Sequence, residues 1–244
     1  MIAQIKAELL KIRSTRTTLG LLLGMVALIL LFALLTGLLS SVSGLSTRED
    51  QRQLFSLGSL SGIFAALAGV LLVTSEYRYG TIRPTILFSP DRTRVLAAKL
   101  IAGALAGLLF GVVGEALGWA IDYLVLSGRN ITFVLSGGDV ALLTLAGLAG
   151  VAAWAAIGVG LGAIIRNQVG AVITLLAWGF IVDNLLFGLV PSVGRFTPTR
   201  AQDGLVGLTM KHLLAPGPSA VVLFVWVAGL AIVGFALSAR RDIN

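Results

Sequence analysis

Six stretches of roughly 20 apolar residues fix what this chain can become. They lie at Thr18–Leu39, Leu54–Thr74, Val95–Leu126, Val140–Ile165, Val169–Val190 and Ala220–Ser238. At 1.5 Å of rise per residue, about 20 residues of helix cross a ~30 Å hydrocarbon core. None of the six alternates as a barrel strand does, and backbone polar groups in lipid must be satisfied within the segment, which leaves helices. Composition agrees, because 57% of the 244 residues are apolar and only 12% are charged, about half the charge of a soluble domain. The expected fold is an all-α polytopic membrane protein, one domain over residues 1–244. With no Cys and a single His, disulfides, thiolate nucleophiles and imidazole clusters are excluded, and neither a metal site nor a catalytic residue is expected.

The net charge of +7 is explained by topology rather than by nucleic acid. With the N-terminus inside, twelve of the eighteen basic residues fall on one side, from Lys6 and Lys11 to Arg240 and Arg241. Arg48, Arg52, Arg129, Arg195, Arg200 and Lys211 fall on the other. This excess predicts a plasma-membrane protein with both termini cytoplasmic. The first apolar run exceeds the 7–15 residues of a signal-peptide core, so an uncleaved first span is expected.

Residues 1–16 precede that span. Ile2, Ile5, Leu9 and Ile12 share a narrow helical arc beside Lys6, Lys11 and Arg13, the pattern of a helix lying in the membrane interface with its basic stems snorkelling. Ser14 to Thr18 then offer N-caps for a helix in a new direction.

The segment between the second and third runs, residues 75–94, is rich in charge and holds two prolines. Gly80 can end one helix, Thr81 can cap a short one, and Pro84 fits its first turn. Ile82, Ile86 and Leu87 would form its apolar side with Arg83 away from it. Ser89 as N-cap, Pro90 at N1 and Asp91 near the positive dipole end would start the third long helix. A short capped helix on the basic face fits two roles, docking a cytoplasmic partner or lying on anionic lipid.

On these residues the chain resembles the type-2 ATP-binding-cassette export permeases. The resemblance rests on Glu76-Tyr77-Arg78 with Gly80-Thr81, on Pro90 with Arg92, and on Ala98-Lys99-Leu100. Glu8-Leu9-Leu10-Lys11 with Arg13 and Arg16, and Phe196-Thr197-Pro198-Thr199 followed by Ala201, are similar to two further segments of that family. The resemblance implies an N-terminal elbow helix carrying Glu8, Lys11, Arg13 and Arg16, and a coupling helix that docks on a separate nucleotide-binding ATPase. Glu76, Tyr77, Arg78, Gly80, Thr81, Arg83, Pro84, Leu87 and Phe88 would make that contact. It also implies a second permease subunit, identical or related, and export as the direction of transport. No G-x-x-x-x-G-K-[ST] occurs in the chain, so ATP and Mg would be held by the partner and this chain would not itself be an enzyme.

Small residues recur every fourth position at Gly20/Gly24, Gly58/Gly62/Ala66, Gly103/Gly107/Gly111 and Gly158/Gly162, which reads as close helix packing. Three acids interrupt apolar runs: Glu115, Asp122 and Asp183. All fall in the outer half of the bilayer by rise per residue, Glu115 about 24 Å in from Lys99. They would serve an outward-facing cavity or gate, or structural pairing. Residues 191–218 read as a re-entrant or interfacial helix pair before the last span. The leading functional expectation is a permease that exports a small amphipathic or drug-like solute. The alternatives are an ion- or proton-coupled carrier using the three acids, and a membrane scaffold.

Overall fold

Backbone in hydrocarbon has to close its own hydrogen bonds, and the chain does so by helix throughout. The computed structural model describes residues 1–240, with no strand among them; Arg241 lies outside the described residues. The order is α1 (Ile2–Ser14), α2 (Arg16–Leu39), α3 (Arg48–Phe55), α4 (Ser61–Arg78), α5 (Ile82–Phe88), α6 (Arg92–Gly128) and α7 (Gly137–Ile165). It continues with α8 (Gln168–Ala177), a π-helical turn (Trp178–Val182), α9 (Asp183–Leu189), α10 (Pro191–Gly194), α11 (Pro198–Leu205) and α12 (Pro216–Arg240). Among the described residues six helices are long and apolar enough to cross a membrane: Arg16–Leu39, Arg48–Arg78, Arg92–Gly128, Gly137–Ile165, Gln168–Leu189 and Pro216–Ala239. The chain is a multi-pass membrane protein.

Three helices form the interior. In the most apolar stretches of the second, third and fourth spans 61%, 56% and 50% of residues are buried, against 17%, 11% and 11% in the first, fifth and sixth. Glycine makes the inner contacts possible. Gly103, Gly107 and Gly111 of α6 lie against α7 so closely that a Cβ on Gly107 would stand 2.7 Å from the Ala155 Cβ and 3.0 Å from the Ala152 Cα. Gly158 and Gly162 of α7 face Ala66 and Val70 of α4, and Gly62 of α4 faces the Trp154 ring. The long glycine stripe thus finds its partner within the same chain. Gly20, by contrast, faces open space.

Polar contacts concentrate at the two ends of the bundle. At the end that carries α1 and α5, Arg92 and Arg166 donate to the carbonyls of Ser238 and Leu237. At the opposite end Arg48 grips Asp139 with two 2.8 Å hydrogen bonds, while Asp139 also closes a capping box with Ser136 at the start of α7. Gln51 bridges the Leu45 and Thr132 carbonyls and accepts from the Val134 N–H. Arg129 donates to the Gly37 carbonyl at 2.5 Å. At this end Arg48 and Arg129 therefore tie separate segments together.

Several expected boundaries shift, each for a visible reason. The second span, expected over residues 54–74, lies within the longer stretch Arg48–Arg78, where a 3₁₀ turn precedes α4 and α4 runs on to Arg78. Gly80, with φ of 70°, follows the end of α4 as its sequence position predicts. The third long helix was expected to start at Ser89-Pro90. Its N-cap is instead Asp91, whose side chain accepts the Arg94 N–H at 3.0 Å. The Thr93 hydroxyl and that N–H hold the Asp91 carboxyl below its ordinary range. Leu87 does not share a side with Ile82 and Ile86: Ile82 is buried, whereas Leu87 is 82% exposed. Of the apolar stripe on α1, Ile5, Leu9 and Ile12 are spent on protein, packing beside Val73, Leu96 and Ala102, and only Ile2 is left largely exposed.

Candidate functional site

α1 crosses the ends of α4 and α6, and three elements there meet through charge. Lys99, two turns into α6, is 2% exposed. Its Nζ stands 2.9 Å from Glu8 Oε2, 2.8 Å from Glu76 Oε1 and 3.2 Å from the Leu72 carbonyl, which fills the three donors of an ammonium group. Lys11 Nζ reaches Glu8 Oε1 at 2.9 Å and Glu76 Oε1 at 2.5 Å. Two carboxylates and two ammonium groups thus form a neutral cluster in which Glu8 and Glu76 are also buried, at 4% and 3%. Burial alone would lower the Lys11 pKa, but its hydrogen bonds to Glu76 and Glu8, with their charges, outweigh it and raise the value. Removing one member of such a buried set typically costs about 3–5 kcal/mol, because it strands an uncompensated charge.

This arrangement corrects the expectation for Glu76. Its carboxylate turns inward onto Lys11 and Lys99 and presents nothing to a docking partner. The outward-facing residues of the segment are others. Tyr79 is 71% exposed, Leu87 82% and Phe88 93%, and Arg78, Gly80, Thr81, Arg83 and Pro84 are exposed around them. Tyr77 is half-buried, with the Arg166 guanidinium 5.3 Å above its ring. Beneath the tip, Ile82 and Ile86 line a small cavity with Val73, Val95 and Leu96. The result is a short helix that buries Ile82 and exposes two large apolar side chains at its end. A cleft of about 430 Å³ separates α5 from α1, with Ala3 and Ala7 on one wall, Phe88 on the other and Arg94 at the rim. Gln4 donates to Ser89 across it. Of the four residues assigned to the elbow, Glu8 and Lys11 join the cluster, whereas Arg13 and Arg16 are exposed.

Glu115, Asp122 and Asp183 stay apart from this end. Glu115 is 4% exposed and sits where Gly58 and Gly147 approach α6 closely. Asp122 and Asp183 are fully buried. Asp183 lies 3.8 Å from Arg200 Nε of α11, and both Asp122 oxygens are without a partner among the described residues. Glu115 thus faces Gly58 and Gly147, and Asp183 faces α11 through Arg200. No group of three or more His, Cys, Asp or Glu placed to hold a metal occurs among the described residues. Sequence reasoning named all four members of the charge cluster but not their meeting, since Glu8 and Lys99 are 91 residues apart. Opposite charges one or two turns inside the ends of neighbouring helices are the signal that could have found it. No protein-family model and no curated protein matches this chain.

Proposed function

We propose that this chain is the membrane-spanning permease subunit of an ATP-binding-cassette exporter, and that α5 is the coupling helix on which a separate ATPase docks. The observation that carries this reading is the exposed Leu87–Phe88 tip on the short helix that links α4 to α6, two of the three interior helices. Exposed apolar side chains of this size outside the spans fit a protein-binding site. The alanine-walled cleft between α1 and α5 adds room for an inserted element of the partner, and the exposed Arg78, Arg83 and Arg94 favour an acidic rim on it. In this reading the end bearing α1 and α5 is cytoplasmic, as the basic excess predicts, and α1 is the elbow helix. The segment before α12 is re-entrant. In support, Gln202 of α11 reaches Gly150, about 20 Å along α7 from its start. ATP and Mg belong to the partner, a second permease subunit completes the pathway, and the cargo is a small amphipathic solute.

The test is capture of a Walker-A protein from native membranes with the tagged chain. An ATPase should come with the wild type and be reduced at least tenfold by Leu87→Ser/Phe88→Ser, with membrane insertion unchanged. Equal capture by both would refute the docking assignment. One observation favours the ion-coupled alternative, the unpartnered buried Asp122. Transport in vesicles without nucleotide, abolished by collapsing the ion gradient, would decide for it.

A further inference from the structure

We infer that Lys99 is a positioning residue that fastens α1 to α4 and α6, so that the three helices move as one body when the α5 tip is pressed. This rests on the docking role proposed for α5 and extends it to how the push travels. Glu76 is two residues from the end of α4 and six residues before α5 begins. A displacement of α5 passed back along the chain therefore enters α4 at its last turn, which carries Glu76. From there the ion pairs lead to Lys99 on α6 and Lys11 on α1, and Lys99 leads on to Glu8 of α1. Apolar packing joins the same three helices through Leu9, Val73 and Leu96, and the buried charge pairs add to it a set in which losing one partner strands a charge. α1 continues into α2 through the single non-helical residue Thr15, so whatever moves α1 pulls on the first span. The ionic set thus gives α2, through α1, a second route to the lever beside its own packing on α4 and α6. Glu76 Oε2 has no partner among the described residues, which leaves the cluster an acceptor for a second arrangement.

The cluster permits a test that separates fastening from folding. Glu76→Gln/Lys99→Met leaves Glu8 and Lys11 as a balanced pair within α1 and removes every ionic link from α1 to α4 and α6. Lys99→Met alone strands a buried carboxylate and should lower the yield of folded protein at least tenfold, and the double variant should restore it. The natural chain has no Cys, so Ala3→Cys/Arg94→Cys can carry spin labels without background. In lipid bilayers the label-to-label distance should be narrow in the wild-type cluster and at least twofold broader in the double variant. With the captured ATPase, the double variant should still bind it but lose transport at least tenfold. An unchanged distance distribution would overturn the fastening, and full transport with a loosened α1 would overturn its part in transmission. Failure to capture any ATPase from the wild type would sink the permease reading and leave the distance measurement to decide the fastening.

Discussion

Gly107→Ala is the smallest change that tests the interior of the bundle. The added Cβ would meet the Ala155 Cβ at 2.7 Å, with the Ala152 Cα and the Val151 carbonyl at 3.0 Å. Ordinary van der Waals contact begins near 3.4 Å, so α6 and α7 have to separate by about 0.7 Å along a line where two of the three obstacles are backbone. Overpacking of this kind costs typically about 1–3 kcal/mol, roughly 5- to 150-fold in the folding equilibrium. Gly229→Ala in α12 is the matched control, because nothing lies within 4 Å of its added Cβ. It should be neutral or stabilising by up to about 1 kcal/mol through helix propensity. Unfolding of the purified chain in dodecyl maltoside titrated with dodecyl sulfate gives both values side by side. If Gly107→Ala unfolds at the wild-type midpoint, α6 and α7 are not in the close register described here and the glycine argument fails.

Two further changes probe the ends of the bundle. Asp139→Ala removes the N-terminal capping box of α7 and the grip of Arg48, and should cost about 1–3 kcal/mol in the same titration, mostly from the cap because Arg48 is largely exposed. Asp139→Asn, which keeps an acceptor for the Ser136 N–H, should lose less. At the other end, the raised pKa of Lys11 means that its stabilisation is complete at and below the ordinary lysine range and is lost as pH rises through the raised value. Thiol labelling of Ala7→Cys on α1 should therefore hold constant between about pH 6 and 9, after allowance for thiolate fraction, and rise only in strongly alkaline buffer.

The spans were legible because hydropathy over 20 residues integrates many weak preferences into one strong signal. Gly80 as the end of α4 and Pro84 in the first turn of α5 were legible too, since each depends on one residue's own backbone. What could not be read was direction. Glu76 stands in a charged segment whose neighbours Arg78 and Arg83 face solvent, and nothing local says that it alone turns inward. The Gly103–Gly111 stripe announced a close contact, yet α7, α4 and a second subunit were equally open to it until Val159, Ala155 and Leu148 were seen against it. The same limit hid the burial of Asp122, which depends on helices distant in sequence.

The π-helical turn at Trp178–Val182 carries a consequence for the fifth span. Such a turn inserts the equivalent of one extra residue, so every side chain beyond it is rotated by roughly 100° from where unbroken α-helix would set it. Asp183 is the first residue after the turn, fully buried and within reach of Arg200, while Phe180, Ile181 and Leu185 point outward. Wound regularly, the same sequence would carry that carboxylate around toward hydrocarbon, where a bare charge costs about 2.5–3.5 kcal/mol. One residue of local underwinding lets an acidic side chain exist in an otherwise greasy helix.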